Sequence, residues 1–392
     1  MKEHWTLDPE VTFLNHGSFG AAPRRVLDAQ SELRARMERE PVLFLARELE
    51  SRLDAAREAL AEFLGADAAG VAWVSNATAG VNAVLRSLDL DQHDELLVIT
   101  HEYNASRNAL EFVAQLVGAK VVAVDVPFPA TSPDRVAERV LANVTSRTRL
   151  LLIDHVTSQT GLVFPVERIV ADLNARGVDT LVDGAHAPGM LPLDLRAMNV
   201  AYYTGNLHKW VCAPKGAAFL YVRENRRAGI HPTSISHGAN SARRDRSRYL
   251  LEFDWTGTID PTPWLCVPEA LRTIASLVDG GWPEVMRRNH ALALRARDIL
   301  IDALHIEKPA PDEMLGSMAA VPLPDSAATT VSWPNNDPLQ DELFERHKIE
   351  VPINIWPEWP KRVLRVSAQL YNEVAEYEKL AEVLRERLTA DS

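Results

Sequence analysis

The chain has 392 residues, a length that suits one large and one smaller domain. Its composition, 46% hydrophobic and 24% charged, is typical of a soluble globular protein. Its net charge of −12 argues against nucleic acid or an anionic membrane as a partner, because both attract basic surfaces. The start of the chain lacks the apolar run of a secretory signal, no run reaches membrane-spanning length, and Cys212 and Cys266 match no metal or disulfide spacing, so we expect a cytoplasmic protein without a bound metal.

The N-terminal segment is predicted to form an arm followed by helical structure. The arm, residues 1–22, contains the stretch LNHGSFGAA. Residues 24–64 are predicted to be mostly helical, with a break or kink at Pro41. In the second half, apolar residues recur at the three- and four-residue steps of one helical face. These residues are Leu49, Leu53, Ala56, Leu60, Phe63 and Leu64.

From about residue 71 the pattern changes to short, almost continuously apolar runs, which are typical of strands buried on both faces. The runs read VAWV, ELLVIT, KVVAVDV, RLLLID, DTLVD and AAFLYV. Helical stretches lie between several of them, at residues 104–118, 134–143 and 165–176. Strands alternating with helices predict an α/β fold whose mostly parallel sheet is flanked by helices, here as a large domain over residues 23–280.

The C-terminal part predicts a smaller α+β domain over residues 281–392. It has a helix near residues 283–304, a Pro-rich stretch, a strand candidate RVLRVSA and a final helix. Ligands of parallel α/β sheets bind beyond the carboxyl ends of the strands. We therefore look for chemistry in the residues that directly follow each strand.

Polar and aromatic residues follow several predicted strands. VAWV precedes SNAT and a helix, which is either an anion site at a helix N-terminus or a simple N-cap. Tyr103 follows ELLVIT, Ser158 follows RLLLID, Asp183 ends DTLVD, and Lys209 lies in GNLHKW. An anion cradle, an aromatic ring, a buried acid and a lysine at one sheet edge suit pyridoxal 5′-phosphate (PLP), since they can hold its phosphate, ring and aldehyde. The alternative is a structural ion pair between Lys209 and Asp183.

The sequence resembles the class V aminotransferase family of fold-type I PLP enzymes, and within it the isopenicillin N epimerase-like branch. The resemblance covers nearly the whole chain, and VDGAHAPG followed by HKW is its most specific pair of motifs. The matching stretches are LNHGSFG, SNATAGVN, DHVTSQTGLVFPV, VDGAHAPG, GNLHKW, WTGTIDPTPWL and LRVSAQLYN. The resemblance implies PLP as the cofactor and fold-type I as the architecture.

The resemblance also implies a role for three predicted catalytic residues. Lys209 matches the lysine that binds PLP as a Schiff base. Asp183 matches the acid that pairs with the pyridine nitrogen. His186 is expected beside the 3-hydroxyl side of the ring.

Further positions match residues that bind the cofactor. Tyr103 stands where the family stacks a side chain on the ring. Ala77 and Thr78, with His208, stand where it holds the phosphate. Ser158 stands where related enzymes have asparagine, so its role in cofactor binding is the least defined by the resemblance.

Two other matches concern the partner subunit and the substrate. Thr258, in WTGT, matches a residue that reaches the phosphate of the neighbouring subunit, so the resemblance implies a homodimer with a shared active site. Arg365 falls where the family binds the substrate carboxylate, a task that suits its bidentate guanidinium, and Asn15 is expected to help there. The alternative for Arg365 is an internal ion pair with Glu350 or Glu373.

These matches predict an enzyme that removes the Cα proton of an amino acid or a derivative, with Lys209 as the base. Epimerisation is the leading expectation from the resemblance. A C–S β-lyase acting on cysteine conjugates, an aminotransferase and a catalytically silent binding module remain alternatives. Cysteine desulfurase activity is not expected, because the stretch IEVPINIWPEWPKRVLR lacks the nucleophilic cysteine. The basic run from Arg243 to Arg248 is expected to bind a second acidic group of the substrate or to form a solvated or dimer-contact surface.

Overall fold

The computed structural model describes residues 1–129, 132–326 and 337–390. Its strands form one large sheet, one small sheet and one short pair. They are β1 (Thr12–Phe13), β2 (Val71–Val74), β3 (Glu95–Ile99), β4 (Lys120–Val124), β5 (Thr148–Asp154), β6 (Asp179–Asp183), β7 (Tyr202–Asn206), β8 (Ala218–Val222), β9 (Met318–Leu323), β10 (Ile349–Glu350), β11 (Ile353–Ile355) and β12 (Arg362–Ser367).

Helices cover the sheets and connect their strands. They are α1 (His16–Phe19), α2 (Arg24–Arg39), α3 (Leu49–Leu64), α4 (Ala77–Ser87), α5 (Asn104–Val117), α6 (Pro133–Ala142), α7 (Val166–Ala175), α8 (Leu195–Met198), α9 (Arg248–Phe253), α10 (Thr262–Leu265), α11 (Val267–Ser276), α12 (Gly281–Leu304), α13 (Pro338–His347) and α14 (Val374–Ala390). The helices predicted at residues 104–118, 134–143, 165–176 and 283–304 correspond to α5, α6, α7 and α12, with bounds shifted by at most two residues.

The large sheet runs β2-β8-β7-β6-β5-β3-β4 within the described residues. All of its neighbouring strands are parallel except that β8 is antiparallel to both β2 and β7. This confirms the predicted α/β architecture with a mostly parallel sheet. Because β3, β5, β6 and β7 point the same way, their carboxyl ends meet at one edge.

Strand β7 was missing from the predicted strands because its sequence, YYTGN, is not a continuous apolar run. The structure gives a physical reason for its small residue. A Cβ on Gly205 would lie 2.7 Å from Cε1 of the Phe219 ring and 2.8 Å from Cγ of Pro188. Glycine therefore leaves room on one face of this central strand for the Phe219 ring and for Pro188.

The break predicted at Pro41 is confirmed. Helix α2 ends at Arg39, a π-helical stretch follows over Leu43–Glu48, and α3 begins at Leu49. Most of the predicted apolar face of α3 is fully buried in the main core, and Phe63 packs against that core while partly exposed. The pattern of apolar residues in this helix therefore predicted which side packs against the sheet.

The smaller sheet is antiparallel, in the order β11-β12-β9, and packs on α12 and α14. The N-terminal arm joins this part of the molecule, because β1 pairs in parallel with β10. Predicted domain bounds at residues 22 and 280 stay predictions, and residues 327–336 and 391–392 of the predicted small domain lie outside the described residues.

The basic run forms intramolecular ion pairs. Arg243 bonds to the carboxylate of Glu50, and Arg246, only 10% exposed, bonds to Asp54. Arg248 pairs with the Glu252 carboxylate one helical turn away. These contacts tie the run to α3 and α9, so Arg243, Arg246 and Arg248 are paired within the chain, whereas Arg244 donates to the Arg243 carbonyl oxygen.

Among the described residues, no helix combines the length and apolar character needed to span a bilayer.

Candidate active site

Lys209 lies just beyond the carboxyl end of β7, on a loop held in place by the N-terminal arm. His16 Nε2 lies 3.0 Å from the Lys209 carbonyl oxygen, and His16 Nδ1 lies 2.7 Å from the Tyr371 hydroxyl. Gly20 passes so close that a Cβ there would be 2.1 Å from the His208 carbonyl oxygen. Since Gly20 also has φ +69°, a larger residue would both strain the arm and displace the lysine loop.

The Lys209 amine faces the His186 ring. Lys209 Nζ lies 3.1 Å from His186 Nε2, and Trp210 Nε1 donates to His186 Nδ1 over 3.4 Å. A neutral imidazole that accepts at Nδ1 carries its proton on Nε2, which then donates to an uncharged amine. Burial, with the Arg365 guanidinium as the second cause, lowers the pKa of Lys209 to about 7, and burial lowers the pKa of His186 well below its usual value.

Asp183, the last residue of β6, is 1% exposed and accepts two hydrogen bonds. Ser106 Oγ donates to its Oδ2 over 2.7 Å, and the Ala185 backbone N–H donates to its Oδ1 over 3.0 Å. Burial raises the pKa of Asp183, and these two donors with Lys209 oppose that rise. The structure gives no ion pair between Asp183 and Lys209 among the described residues, so the structural ion pair weighed above is not formed.

Two further buried carboxyl groups lie beside Asp183. Glu102 follows β3 and Asp154 ends β5, and one carboxyl oxygen of each lies within 4.8 Å of the others in the group with Asp183. Glu102 is 4% and Asp154 2% exposed. Burial and the neighbouring carboxyl groups raise the pKa of both well above the ordinary range. The edge of the sheet thus carries a carboxyl cluster, which we define as Glu102, Asp154 and Asp183.

The predicted phosphate residues lie at the N-terminus of α4. Ala77 opens this helix, and its backbone N–H donates to Asn206 Oδ1 over 2.9 Å, so this donor already has an acceptor. Thr78 follows it and is partly exposed. His208 Nδ1 lies 3.2 Å from the Ala217 carbonyl oxygen, and burial lowers the pKa of His208 to about 4. The Ala79 N–H donates to Asn76 Oδ1, so the Thr78 N–H is the one in the first three helical residues that has no acceptor among the described residues, and it suits an anion.

Arg365, on β12, approaches Lys209 from the small sheet, and its charge is one cause of the lowered pKa of Lys209. Its Nη2 donates to Ser18 Oγ over 2.9 Å and to Asn15 Oδ1 over 3.2 Å, and its Nη1 donates to the Ser158 carbonyl oxygen. The side chain is 3% exposed, and its Nε has no hydrogen-bond partner among the described residues. No described carboxylate pairs with it, so the ion pair with Glu350 or Glu373 is not formed; Glu350 instead accepts from Asn15 Nδ2.

Two predicted residues lie on the surface of the single chain. Tyr103, the N-cap of α5, has 42% of its surface exposed at the edge where the strands end. Thr258 is exposed on the segment between α9 and α10. Exposure of Thr258 is compatible with a contact to a second subunit, and its role stays a prediction.

Residues that the sequence reasoning missed include partners of the predicted ones. Ser106 and His16 hold Asp183 and the Lys209 loop, while Ser18 orients Arg365. Ser106 lies three residues after Tyr103 in the first turn of α5, so its position after a strand end was a usable signal. Asp154, the last residue of RLLLID, carried the same signal as Asp183.

The donor set fits PLP. Each oxygen of Asp183 has accepted one hydrogen bond and keeps a lone pair for a ring N–H. Lys209 Nζ faces a histidine rather than a carboxylate, which favours the uncharged amine that imine formation needs. The unpartnered Nε of Arg365 leaves a donor for an incoming carboxylate.

The comparisons with known proteins agree with this arrangement. Residues 14–332 match the family model described as aminotransferase class-V. The chain is 39% identical to an isopenicillin N epimerase of Amycolatopsis lactamdurans, over 98% of this chain and 97% of that one. It is 30% identical to a probable chloroplastic L-cysteine desulfhydrase of Arabidopsis thaliana, over 96% of this chain and 83% of that one.

A solved structure shows the same fold at lower identity. It is a variant of C-DES with glycine covalently linked to its PLP cofactor, which matches with a TM-score of 0.81 and 22% identity. The match covers 98% of this chain and 99% of that one. At this identity the likeness establishes the architecture alone.

Proposed function

Since this chain belongs to the aminotransferase class-V family and is a PLP-dependent enzyme, we propose that it epimerises the Cα of an amino acid or amino-acid-derived substrate. The observation that carries this proposal is the 39% identity to an isopenicillin N epimerase over 98% of this chain. The bound cofactor supplies an electron-withdrawing ring that acidifies the Cα proton of a linked substrate. The chain's own residues then bind the substrate and move that proton.

Lys209 is proposed to link the cofactor and to take the Cα proton at Nζ. A base acts best when its pKa lies near the working pH, and burial brings the pKa of Lys209 to about 7. His186 Nε2, 3.1 Å away, orients the amine and favours its uncharged form. Asp183 is proposed to hold the proton on the ring nitrogen, since its lone pairs remain free for that contact.

Arg365 is proposed to bind the substrate carboxylate. Its guanidinium is held by neutral oxygens of the N-terminal arm and of Ser158, so its charge is oriented without being neutralised. A buried arginine without a carboxylate partner gains most from an anionic ligand. We therefore expect a substrate with a free α-carboxylate.

A second candidate is a C–S lyase acting on cysteine or its conjugates. The 30% identity to a probable L-cysteine desulfhydrase over 96% of this chain favours it. Both reactions begin with removal of the Cα proton by the same base, so the residues described above serve either. They differ in whether a proton returns to Cα or a sulfur group leaves Cβ.

One assay separates these candidates. The holoenzyme is incubated in deuterium oxide with a panel of amino acids, amino-acid-derived peptides and cysteine conjugates. Deuterium at Cα together with the opposite isomer would support epimerisation. Released thiol with keto acid would support the lyase, and keto acid without thiol would indicate an aminotransferase. Lys209→Ala is the control that should abolish every signal.

We also propose a homodimer whose subunits share the active site, located in a reducing cytoplasm. The exposed position of Thr258 supports the shared site. Cys212 and Cys266 are buried free thiols, which supports a reducing compartment. Small-molecule substrates are the proposed ligands.

A further inference from the structure

Three neighbouring chain segments bring the carboxyl cluster together. Asp154 and Asp183 end adjacent parallel strands and are register partners, so their side chains leave the sheet at the same height. Strand β3 lies on the other side of β5, and Glu102 follows it. All three side chains are at most 4% exposed. Three negative charges this close and this dry would repel strongly, so some of these groups must keep a proton.

The hydrogen-bond donors decide where the charge goes. Asp183 accepts from Ser106 Oγ and from the Ala185 N–H, which stabilise its ionised form. Both carboxyl oxygens of Glu102 and Oδ2 of Asp154 are buried without a partner among the described residues. An unpartnered buried carboxylate costs more than an unpartnered carboxylic acid. The negative charge therefore belongs on Asp183.

The other charged group facing the cluster is Lys209. Its ammonium form would lower the pKa of Asp154 and of Asp183. The backbone N–H groups of Asp154 and Tyr103 lower the pKa of Glu102, and that of Tyr103 lowers the pKa of Asp154. Burial outweighs both for Glu102 and Asp154, whose pKa values stay well above the ordinary range. Since Lys209 itself is uncharged above a pH of about 7, its help to the anions fades there.

We propose that Glu102 and Asp154 hold protons at neutral pH, so that Asp183 alone carries the negative charge that faces the ring nitrogen of the cofactor. The two acids are positioning residues, since they act on the cofactor through Asp183. The inference rests on the proposed contact of Asp183 with the ring nitrogen. Neighbouring carboxyl groups of unlike environment thereby take unlike protonation states, with Glu102 and Asp154 neutral and Asp183 ionised, as carboxyl groups in active sites commonly do.

Infrared spectroscopy of the cofactor-free protein tests the protonation directly, because protonated and ionised carboxyl groups absorb separately. Wild type should show a buried protonated-carboxyl band at neutral pH. Glu102→Gln and Asp154→Asn should each lower its intensity, since each removes one of the two protonated groups of the cluster. Glu252→Gln is the control: Glu252 is 3% exposed, but it accepts from Arg248 and His231, which lower its pKa, so the band should not change.

Three results would overturn the proposal. The first is that the band is absent from wild type at neutral pH. The second is that it keeps its full intensity in both amide variants, and the third is that it appears only after a chelator is added. The last result would show that a cation occupies the cluster and that all three groups are ionised. The first and third results are measured on wild type, so the proposal can be tested even if an amide variant fails to fold.

The visible absorption of the bound cofactor gives an independent test. Because Gln and Asn reproduce the neutral state, Glu102→Gln and Asp154→Asn should leave the neutral-pH spectrum unchanged, whereas Asp183→Asn should shift it. A shift in either of the first two as large as that in Asp183→Asn would overturn the proposal. If Asp183→Asn also leaves the spectrum unchanged while the infrared band is present as expected, Glu102 and Asp154 are protonated but Asp183 does not face the ring. The two measurements therefore distinguish a failure of the protonation proposal from a failure of the proposed contact between Asp183 and the ring nitrogen.

Discussion

Lys209 Nζ lies 3.1 Å from His186 Nε2, and neither nitrogen has a carboxylate within ion-pair distance among the described residues. Two basic groups this close and this buried cannot both be charged. Burial and the Arg365 guanidinium accordingly lower the pKa of Lys209 to about 7. The pair is therefore built to present an uncharged amine near neutral pH, and this governs how the protein takes up its cofactor.

We expect cofactor attachment to speed up as the pH rises through about 7. Only the uncharged amine attacks the aldehyde, and a lowered pKa makes that form abundant above about 7 rather than above the ordinary 10.5. The rate of appearance of the visible band, measured against pH on cofactor-free protein, checks this. In Arg365→Ala the midpoint should move upward, because one cause of the lowering is gone. A midpoint near the ordinary lysine value in wild type would contradict the assignment.

Borohydride reduction should fix the cofactor on Lys209. The purified protein should be yellow, and peptide mapping after reduction should place the adduct on this residue. Lys215 is the natural competitor because it lies on the same loop, but it is exposed and donates to the Gly20 carbonyl oxygen. An adduct on Lys215 would show that the site is assigned to the wrong lysine.

Asp183→Asn should lose activity on the order of 100-fold while keeping the fold, because a neutral amide no longer favours a protonated ring nitrogen. Ser106→Ala should have a smaller effect of the same kind. It removes one donor to Asp183 Oδ2 and should cost about 1.5 kcal/mol, or about tenfold in turnover. Steady-state kinetics and circular dichroism on both variants separate chemistry from folding. Near-normal turnover of Asp183→Asn would remove Asp183 from its proposed role.

Arg365→Ala should weaken transition-state binding by about 2–5 kcal/mol, much of it as a raised KM. Arg365→Lys should recover little, since an ammonium cannot replace a guanidinium held by Ser18 and Asn15 on one side and the Ser158 carbonyl on the other. The measurement compares an amino acid with its decarboxylated amine on wild type and both variants. If wild type shows no preference for the carboxylate, the amino-acid assignment fails.

Thr258→Ala should weaken cofactor retention without changing the fold of the chain. Thr258 is exposed in the single chain, so a contribution to cofactor binding requires the neighbouring subunit. Sedimentation gives the oligomeric state, and dialysis followed by absorption gives the retained cofactor. Thr233→Ala, at another exposed threonine, should retain cofactor as wild type does. A monomer with full cofactor occupancy would contradict the shared site.

The sequence predicted the position of a site residue where that residue directly follows or ends a strand. Asp183 and Lys209 were predicted at the same edge because parallel strands bring their carboxyl ends together, and the structure places them there. The direction of β8 was not predictable in this way. A short apolar run such as AFLYV has the same pattern in a parallel and an antiparallel strand.

Side-chain partners were less predictable than strand ends. Ser106, in the first turn of α5, meets Asp183, at the end of β6, across 77 positions of sequence. Asp154 was visible at a strand end, but its meaning depended on Glu102 and Asp183 lying within 4.8 Å of it. Such relationships depend on three-dimensional distances that periodicity does not encode.

The N-terminal arm has a consequence for the order in which the protein is made. Asn15 and Arg365 are hydrogen-bonded across 350 positions, and β1 pairs with β10, so the carboxylate end of the pocket needs both ends of the chain. During synthesis the strands that carry Asp183 and Lys209 leave the ribosome well before Arg365 does. Since domains fold as they emerge, the half of the pocket that faces the cofactor can form first. The substrate end is completed only after the segment that carries Arg365 has also emerged.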